Sequence, residues 1–135
     1  MIYISCKQII ELHDALVKKF GGLYGIRDVN LLESAAACPM MAAFGEDFYK
    51  SVYDKVAAYL FFISKNHPFL DGNKRTATAT ALAFLRANGE SPQYDVDAFM
   101  EFVVSVAEGK ADLQTASRYF KKNMFLTQQK QPTAA

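Results

Sequence analysis

Cysteine is scarce in this chain: Cys6 and Cys38 are the only two among 135 residues. Two thiols are too few to staple a small secreted scaffold, and they carry no metal-ligand spacing. They read as reduced, partly buried thiols of a cytoplasmic protein. Glycine and proline are sparse too, at 7 and 4 residues, which disfavours a turn-rich β-sandwich. Net charge is almost absent, with 15 basic and 14 acidic side chains leaving +1. Such a balance argues against a polybasic nucleic-acid binder and against an acidic tail, so no direct nucleic-acid binding is expected. No apolar run reaches the roughly 18 residues of a membrane span, and no membrane association is expected. The opening residues, MIYISCKQIIELHD, lack the basic n-region and small-residue cleavage site of a secretory signal.

What is present in quantity favours helices. Hydrophobic residues make up 51% of the chain and alanine alone accounts for 19 positions, enough for one domain with a proper core. Ser5, with Gln8 three residues on, forms a capping-box pattern ahead of Ile9, Leu12, Leu16 and Phe20 at helical spacing, and Gly21-Gly22 ends that run. Residues 2–4 are β-prone but too short to found a sheet. After a glycine-rich turn, GGLYGIRD, a second helix opens at Asp28 or Asn30 and stops near Pro39. Residues 40–47 read as a surface loop or short hairpin. A helix from about Phe48 to Asn66 is apolar on most sides, which makes it central to the fold. His67-Pro68 breaks it, because proline disfavours the α conformation in the residue before it. An alanine-rich helix over 74–88 closes at Gly89, another opens at Asp95 or Asp97 and runs to about Glu108, and Asp112 caps a last one to about Asn123. The expected architecture is all-α: a single compact domain of about six helices over 1–124 with a small flap or hairpin. Residues 125–135 read as a polar, disordered tail.

The segment between the two most apolar helices, NHPFLDGNKRT, sets His, Asp, Asn, Lys and Arg within nine residues. Charges between buried helices are costly unless they are solvated, paired or used. His67 titrates near neutrality and can take a proton from a hydroxyl. Asp71 can hold magnesium. Gly72 lets the backbone approach a ligand closely. Amides at the start of the helix after Asn73 point at an anion, and Lys74 and Arg75 add positive charge beside them. Together these make a base, a metal ligand and a phosphate cradle, suited to moving a phosphate-containing group from a nucleotide to a hydroxyl. Spacing alone leaves a structural alternative open: a helix-end histidine, turn-forming Asp71 and Asn73, and a solvated first turn.

The stretch HPFLDGNKR resembles the active-site motif of the Fic/Doc superfamily, H-x-F-x-[DE]-[GA]-N-[GK]-R, and matches every fixed position. GLYGIRDVNLLESAAACP and ALAFLRANG resemble segments of the death-on-curing (Doc) toxins, and the similarity spans residues 5 to about 120. Fic-branch adenylyltransferases have the form H-P-F-x-[DE]-G-N-G-R-x-x-R. Here Lys74 replaces the glycine and Thr78 the final arginine, as in the Doc branch, whereas Pro68 fits either. A lysine fills space in the anion cradle, and the missing arginine removes a bidentate phosphate partner.

The resemblance implies a toxin that transfers the γ-phosphate of ATP to a hydroxyl, a threonine of elongation factor Tu in Doc-type toxins, and so arrests translation. It implies His67 as general base, Asp71 as the Mg²⁺ ligand, and Gly72, Asn73, Lys74 and Arg75 as the nucleotide-binding set, with His67, Asp71, Lys74 and Arg75 catalytic. Phe69 is expected to anchor the loop in the core, and the segment 40–47 to be the flap that aligns the target. The inhibitory pattern [ST]-x-x-x-E-[GN] of many Fic enzymes does not occur. An antitoxin whose disordered end folds into a groove is the implied partner. A Fic-type adenylyltransferase and a catalytically silent binding module remain the alternative readings. Among other residues, His13 reads as a helix-surface or core-edge histidine, with catalysis as the lesser alternative. Phe44, Phe48, Tyr49 and Tyr53 read as core packing rather than an adenine pocket. Arg27-Asp28 reads as a structural pair joining two helices, with a role near the groove as the lesser option, and Lys121-Lys122 as a solvated helix end.

Overall fold

The structure is a computed structural model, and it describes residues 1–128. Among these residues six α-helices carry the fold, as expected for an all-α domain: α1 (Cys6–Phe20), α2 (Val29–Ala37), α3 (Val52–Asn66), α4 (Asn73–Ala87), α5 (Val96–Ala107) and α6 (Leu113–Asn123). Their starts follow cap chemistry. The Ser5–Gln8 capping box is complete, with the Gln8 N–H donating to the Ser5 hydroxyl at 3.2 Å and the Ser5 N–H to the Gln8 side chain at 2.8 Å. Asp28, rather than Asn30, caps α2, and Asp95, rather than Asp97, caps α5. Asp112 caps α6. The third helix starts later than the expected Phe48, because Ser51 forms a capping box with Asp54.

α3 is the centre of the molecule. Val56, Ala57, Ala58, Tyr59, Leu60 and Ile63 are fully buried, and α4, α6, α5 and α2 pack around it. Each large apolar side chain sealed there contributes on the order of 1.5–3 kcal/mol by leaving water. The Ser117 hydroxyl of α6 donates to Asp54 at 2.5 Å, adding a polar tie between α6 and the start of α3. The β-prone residues 2–4 find side-chain partners instead of a sheet. Tyr59 accepts from the Ile4 N–H at 2.8 Å and donates to the Ile4 carbonyl at 3.2 Å. Asn88 brackets Ile2 in the same way, at 2.7 and 2.8 Å.

The expected hairpin is present. Strands β1 (Ala42–Ala43) and β2 (Glu46–Asp47) pair antiparallel around Phe44-Gly45. Both tip residues have positive φ, 54° and 78°, the geometry of a tight two-residue hairpin turn. Phe44 is fully exposed at that tip and Phe48 is exposed beside it, so neither belongs to the core to which the sequence assigned them. Tyr53 does pack against the core.

A second pair was not anticipated. β3 (Glu90–Gln93) lies antiparallel to β4 (Phe125–Gln128), with Glu90 opposite Gln128. Residues 125–128, read as the start of a tail, therefore form a strand. The rest of the expected tail, 129–135, lies outside the described residues. Both cysteines are free and half-buried, as expected, and burial pushes both thiols up from their ordinary range. No helix among the described residues is long and apolar enough to cross a membrane.

Candidate active site

The segment 67–72 joins the central helix α3 to α4. Pro68 stops α3, and His67 takes a left-handed conformation with φ 48° and ψ 59°. Such a backbone costs on the order of 1–3 kcal/mol for a non-glycine residue and persists only where its surroundings enforce it. Arg27 supplies the enforcement. Its Nε donates to the His67 carbonyl and its Nη2 to the Asn66 carbonyl, both at 2.6 Å. The backbone N–H groups of Arg27 and Asp28 donate to the Pro68 carbonyl at 2.7 and 3.0 Å. Ile26 makes an antiparallel bridge to Phe69, and the Leu70 N–H donates to the Gly25 carbonyl at 3.1 Å. The turn before α2 is thus laid along the loop between α3 and α4 like a short strand.

Inside the loop, Phe69 is buried and anchors it, as expected. Asn73 accepts from the Phe69 N–H at 2.9 Å and donates to the Phe69 carbonyl at 3.0 Å. Both ends of the Asn73 side chain therefore brace the loop, and what it offers an anion is its main-chain amide. The Asp71 carboxylate accepts from the Gly72 N–H at 2.9 Å and from the Leu23 N–H at 3.1 Å. Gly22 passes so close that a Cβ there would lie 2.7 Å from Asp71 Oδ2.

Gly72, with φ 76°, is the N-cap of α4 and has no side chain to bond the first turn. The other five α-helices among the described residues all have a capping Ser or Asp. The first-turn amides of α4 are left for another acceptor, and with the helix dipole they favour an anion. Lys74 and Arg75 are exposed in that turn, and the Arg75 guanidinium lies 5.0 Å from the centre of the Phe20 ring of α1.

One open cavity of about 490 Å³ gathers these groups. His67, Asp71, Gly72, Asn73, Lys74 and Arg75 all line it, with Leu16, Val17 and Phe20 of α1 as the apolar wall. All six residues singled out on the sequence thus meet in one place. Asp71 is the only acidic side chain of that lining, and the described residues hold no group of three or more His, Cys, Asp or Glu placed to hold a metal ion. This donor set fits magnesium, which keeps several waters and binds through one or two carboxylates plus phosphate oxygens. A carboxylate has about four lone-pair positions, so two N–H donors leave Asp71 capacity for a cation. Thr78 lies one turn along α4, and its hydroxyl donates to the Lys74 carbonyl at 2.9 Å.

Three residues at the site were not foreseen in these roles. Arg27 is more than a structural pair with Asp28, since it holds the backbone of His67. Phe20 provides the face on which Arg75 rests. His13 is buried under the loop rather than at the surface or core edge, stacked on Phe69. Each reaches the loop or the first turn of α4 from a distant part of the chain, and no local pattern marks such a contact.

Comparison with known proteins bears on the same segments. The Fic/DOC family profile matches residues 3–85. A protein named Toxin Doc, from Mycolicibacterium smegmatis, is 41% identical over 98 residues, covering 71% of this chain and 75% of its own. A protein named Protein kinase doc, from Escherichia phage P1, is 32% identical over 117 residues, covering 87% of this chain and 91% of its own.

Proposed function

The chain belongs to the Fic/DOC family and is of its Doc type, and from that premise we propose that it is a toxin kinase that moves the γ-phosphate of ATP to a protein hydroxyl. The observation that carries this reading is the uncapped start of α4, which opens into the same cavity as His67, Asp71, Lys74 and Arg75.

The chemistry follows from the residues. His67, exposed at the cavity, takes the proton of the incoming hydroxyl as its oxygen bonds to the γ-phosphorus. The bond from that phosphorus to the β-phosphate oxygen breaks, and ADP leaves. The α4 amides, Lys74 and Arg75 hold the phosphate oxygens and offset their charge. Asp71 holds magnesium, which when bound adds positive charge beside the phosphates. Lys74 and Thr78 favour the γ-phosphate over the α-phosphate, because a lysine stands at 74 where a glycine would leave room, and no arginine stands at 78.

The flap at 42–47 aligns the target segment, and a threonine of elongation factor Tu is the acceptor. The toxin acts in the cytoplasm and is neutralised by an antitoxin with a segment that folds on binding. The relatives' names, a toxin and a protein kinase, support this reading.

Incubating the purified chain with Mg²⁺, elongation factor Tu and ATP labelled at either the γ- or the α-phosphate tests it. Transfer of γ-label, lost in His67→Ala, is expected. Transfer of α-label would replace the kinase reading with adenylylation. Growth arrest that survives His67→Ala would point to a binding module instead.

A further inference from the structure

His13 has no part in the reaction as written, yet it meets the active-site loop at Phe69, Asp71 and Gly72. It is buried, with 1% exposure. Its Nε2 lies 2.8 Å from the backbone carbonyl of Asp71. A carbonyl only accepts, so that nitrogen carries a hydrogen and donates it. The ring lies flat on Phe69, with 3.9 Å between centres and 5° between planes. Gly72 passes its edge, where a Cβ would meet Cδ2 and Nε2 at 3.7 Å. On the other side of the ring, Nδ1 is 3.0 Å from Oδ1 of the half-exposed Asp14.

These contacts act on one residue from two directions. The main chain of Asp71 is pinned by His13 from α1, and its carboxylate by the Leu23 N–H from the turn before α2. Without the His13 bond, the peptide between Asp71 and Gly72 keeps only the Gly72 N–H bond to the Asp71 carboxylate, and it rotates more readily about its ends. Such a rotation swings the carboxylate and changes the left-handed φ of Gly72, from which the first turn of α4 takes its direction.

We propose that His13 is a positioning residue: its donated hydrogen bond fixes the Asp71–Gly72 peptide, and so sets both the Asp71 carboxylate and the anion-facing amides of α4. The flat stack on Phe69 orients the ring for that bond. A buried histidine needs an acceptor for its N–H, and here that acceptor is the carbonyl of Asp71, in the peptide that leads into α4. The consequence for catalysis rests on the function proposed above, whereas the consequence for the loop does not.

Two substitutions separate donation from packing. His13→Phe keeps an aromatic ring against Phe69 and removes the donor. His13→Gln keeps an N–H at similar reach and removes the ring. Circular dichroism and thermal melting first establish that each variant folds. Hydrogen exchange of the Leu23 and Gly72 amides, both bonded to the Asp71 carboxylate, is then measured without nucleotide or metal. In His13→Phe these amides should exchange at least about tenfold faster while those of α3 stay protected. With Mg²⁺-ATP and target, turnover should fall about 10–100-fold with little change in KM for the target, the usual cost of losing a partner that orients a ligand-bearing residue.

His13→Gln should restore amide protection and most of the turnover. Wild-type protection and turnover in His13→Phe would overturn the proposal, as would loss of both in a folded His13→Gln. If His13→Phe does not fold, the glutamine variant decides alone. If the unsubstituted chain transfers no phosphate, the proposed reaction fails, and the exchange comparison still decides whether His13 sets Asp71.

Discussion

Arg27 is exposed, yet its guanidinium closes the end of the central helix by donating to the Asn66 and His67 carbonyls. The fork geometry matters, because two donors at fixed separation hold two successive carbonyls and with them the left-handed His67. Water can replace the lost partners at an exposed site, so Arg27→Ala should cost only about 1 kcal/mol of stability. On the proposed mechanism, turnover should fall more than about tenfold, since a misplaced His67 would lose its alignment with the reacting hydroxyl. Arg27→Lys, with one point-like donor group, should recover only part of it. Urea unfolding beside initial rates checks this, and a rate loss no larger than the unfolded fraction would count against it. Gly22 gives a second prediction at this scale. Gly21 and Gly22 both have positive φ, 86° and 117°, but only at Gly22 would a Cβ meet the Asp71 carboxylate. Gly22→Ala should therefore reduce activity at least about tenfold more than Gly21→Ala, with comparable losses of melting temperature. Equal activities would show that backbone strain, not Asp71, dominates there.

The flap is tied to the core by a buried charge. Lys55 of α3 is 2% exposed, and its ammonium donates to Asp47 of β2 at 3.1 Å while lying 5.5 Å from the centre of the Tyr3 ring. Burial alone would lower its pKa, but Tyr3 and Asp47 outweigh it and push the ammonium up, so the tether stays charged. Lys55→Met keeps the packing and removes the tether. It should leave melting within about 1–2 kcal/mol equivalents, because the freed Asp47 is half-exposed and returns to water. Exchange at the Phe48 amide, which donates to the Met41 carbonyl across the hairpin, should accelerate, and, on the proposed role of the hairpin in aligning the target, KM for the protein target should rise with kcat little changed. An unaltered flap would refute the tether. The helices themselves were readable on the sequence because caps and periodicity are local: Ser5, Asp28, Asp95 and Asp112 all cap where such residues should. The pairing of 90–93 with 125–128 was not readable, since its partners are far apart in sequence and Glu90–Gln93 contains a proline and no apolar alternation. The six candidate residues could be grouped on the sequence because they fall within nine positions, and all six line one cavity. His13, Phe20 and Arg27 could not be grouped with them, because their roles exist only after α1 and the turn before α2 fold against the loop.

Across the molecule, the α3–loop–α4 unit is fastened at both ends. The Arg27 turn and His13 hold the loop end, while at the other side Tyr59 of α3 and Phe84 of α4 pack ring to ring, 5.1 Å apart, beneath Tyr3. Tyr59 also makes both hydrogen bonds to Ile4, so one phenol joins the chain's first residues to its central helix. Burial pushes that phenol up to about 12. Its ordinary value is about 10, so the folded state favours the neutral form relative to the unfolded chain. Stability from this preference is present in full below about pH 10 and is lost as pH climbs toward 12, where the unfolded chain has already released its proton. A shift of that size corresponds to roughly 2–3 kcal/mol at 1.36 kcal/mol per pH unit. Tyr59→Phe removes the titration and, at neutral pH, leaves the Ile4 N–H and carbonyl without their partner, costing about 1–3 kcal/mol. The stability gap between the two proteins should therefore be widest near pH 8 and should shrink, or change sign, by pH 11.5. Urea unfolding of both proteins at the two pH values measures it. A gap that held constant would mean that the alkaline sensitivity of the fold lies elsewhere, and that Tyr59 fastens the far end by packing alone.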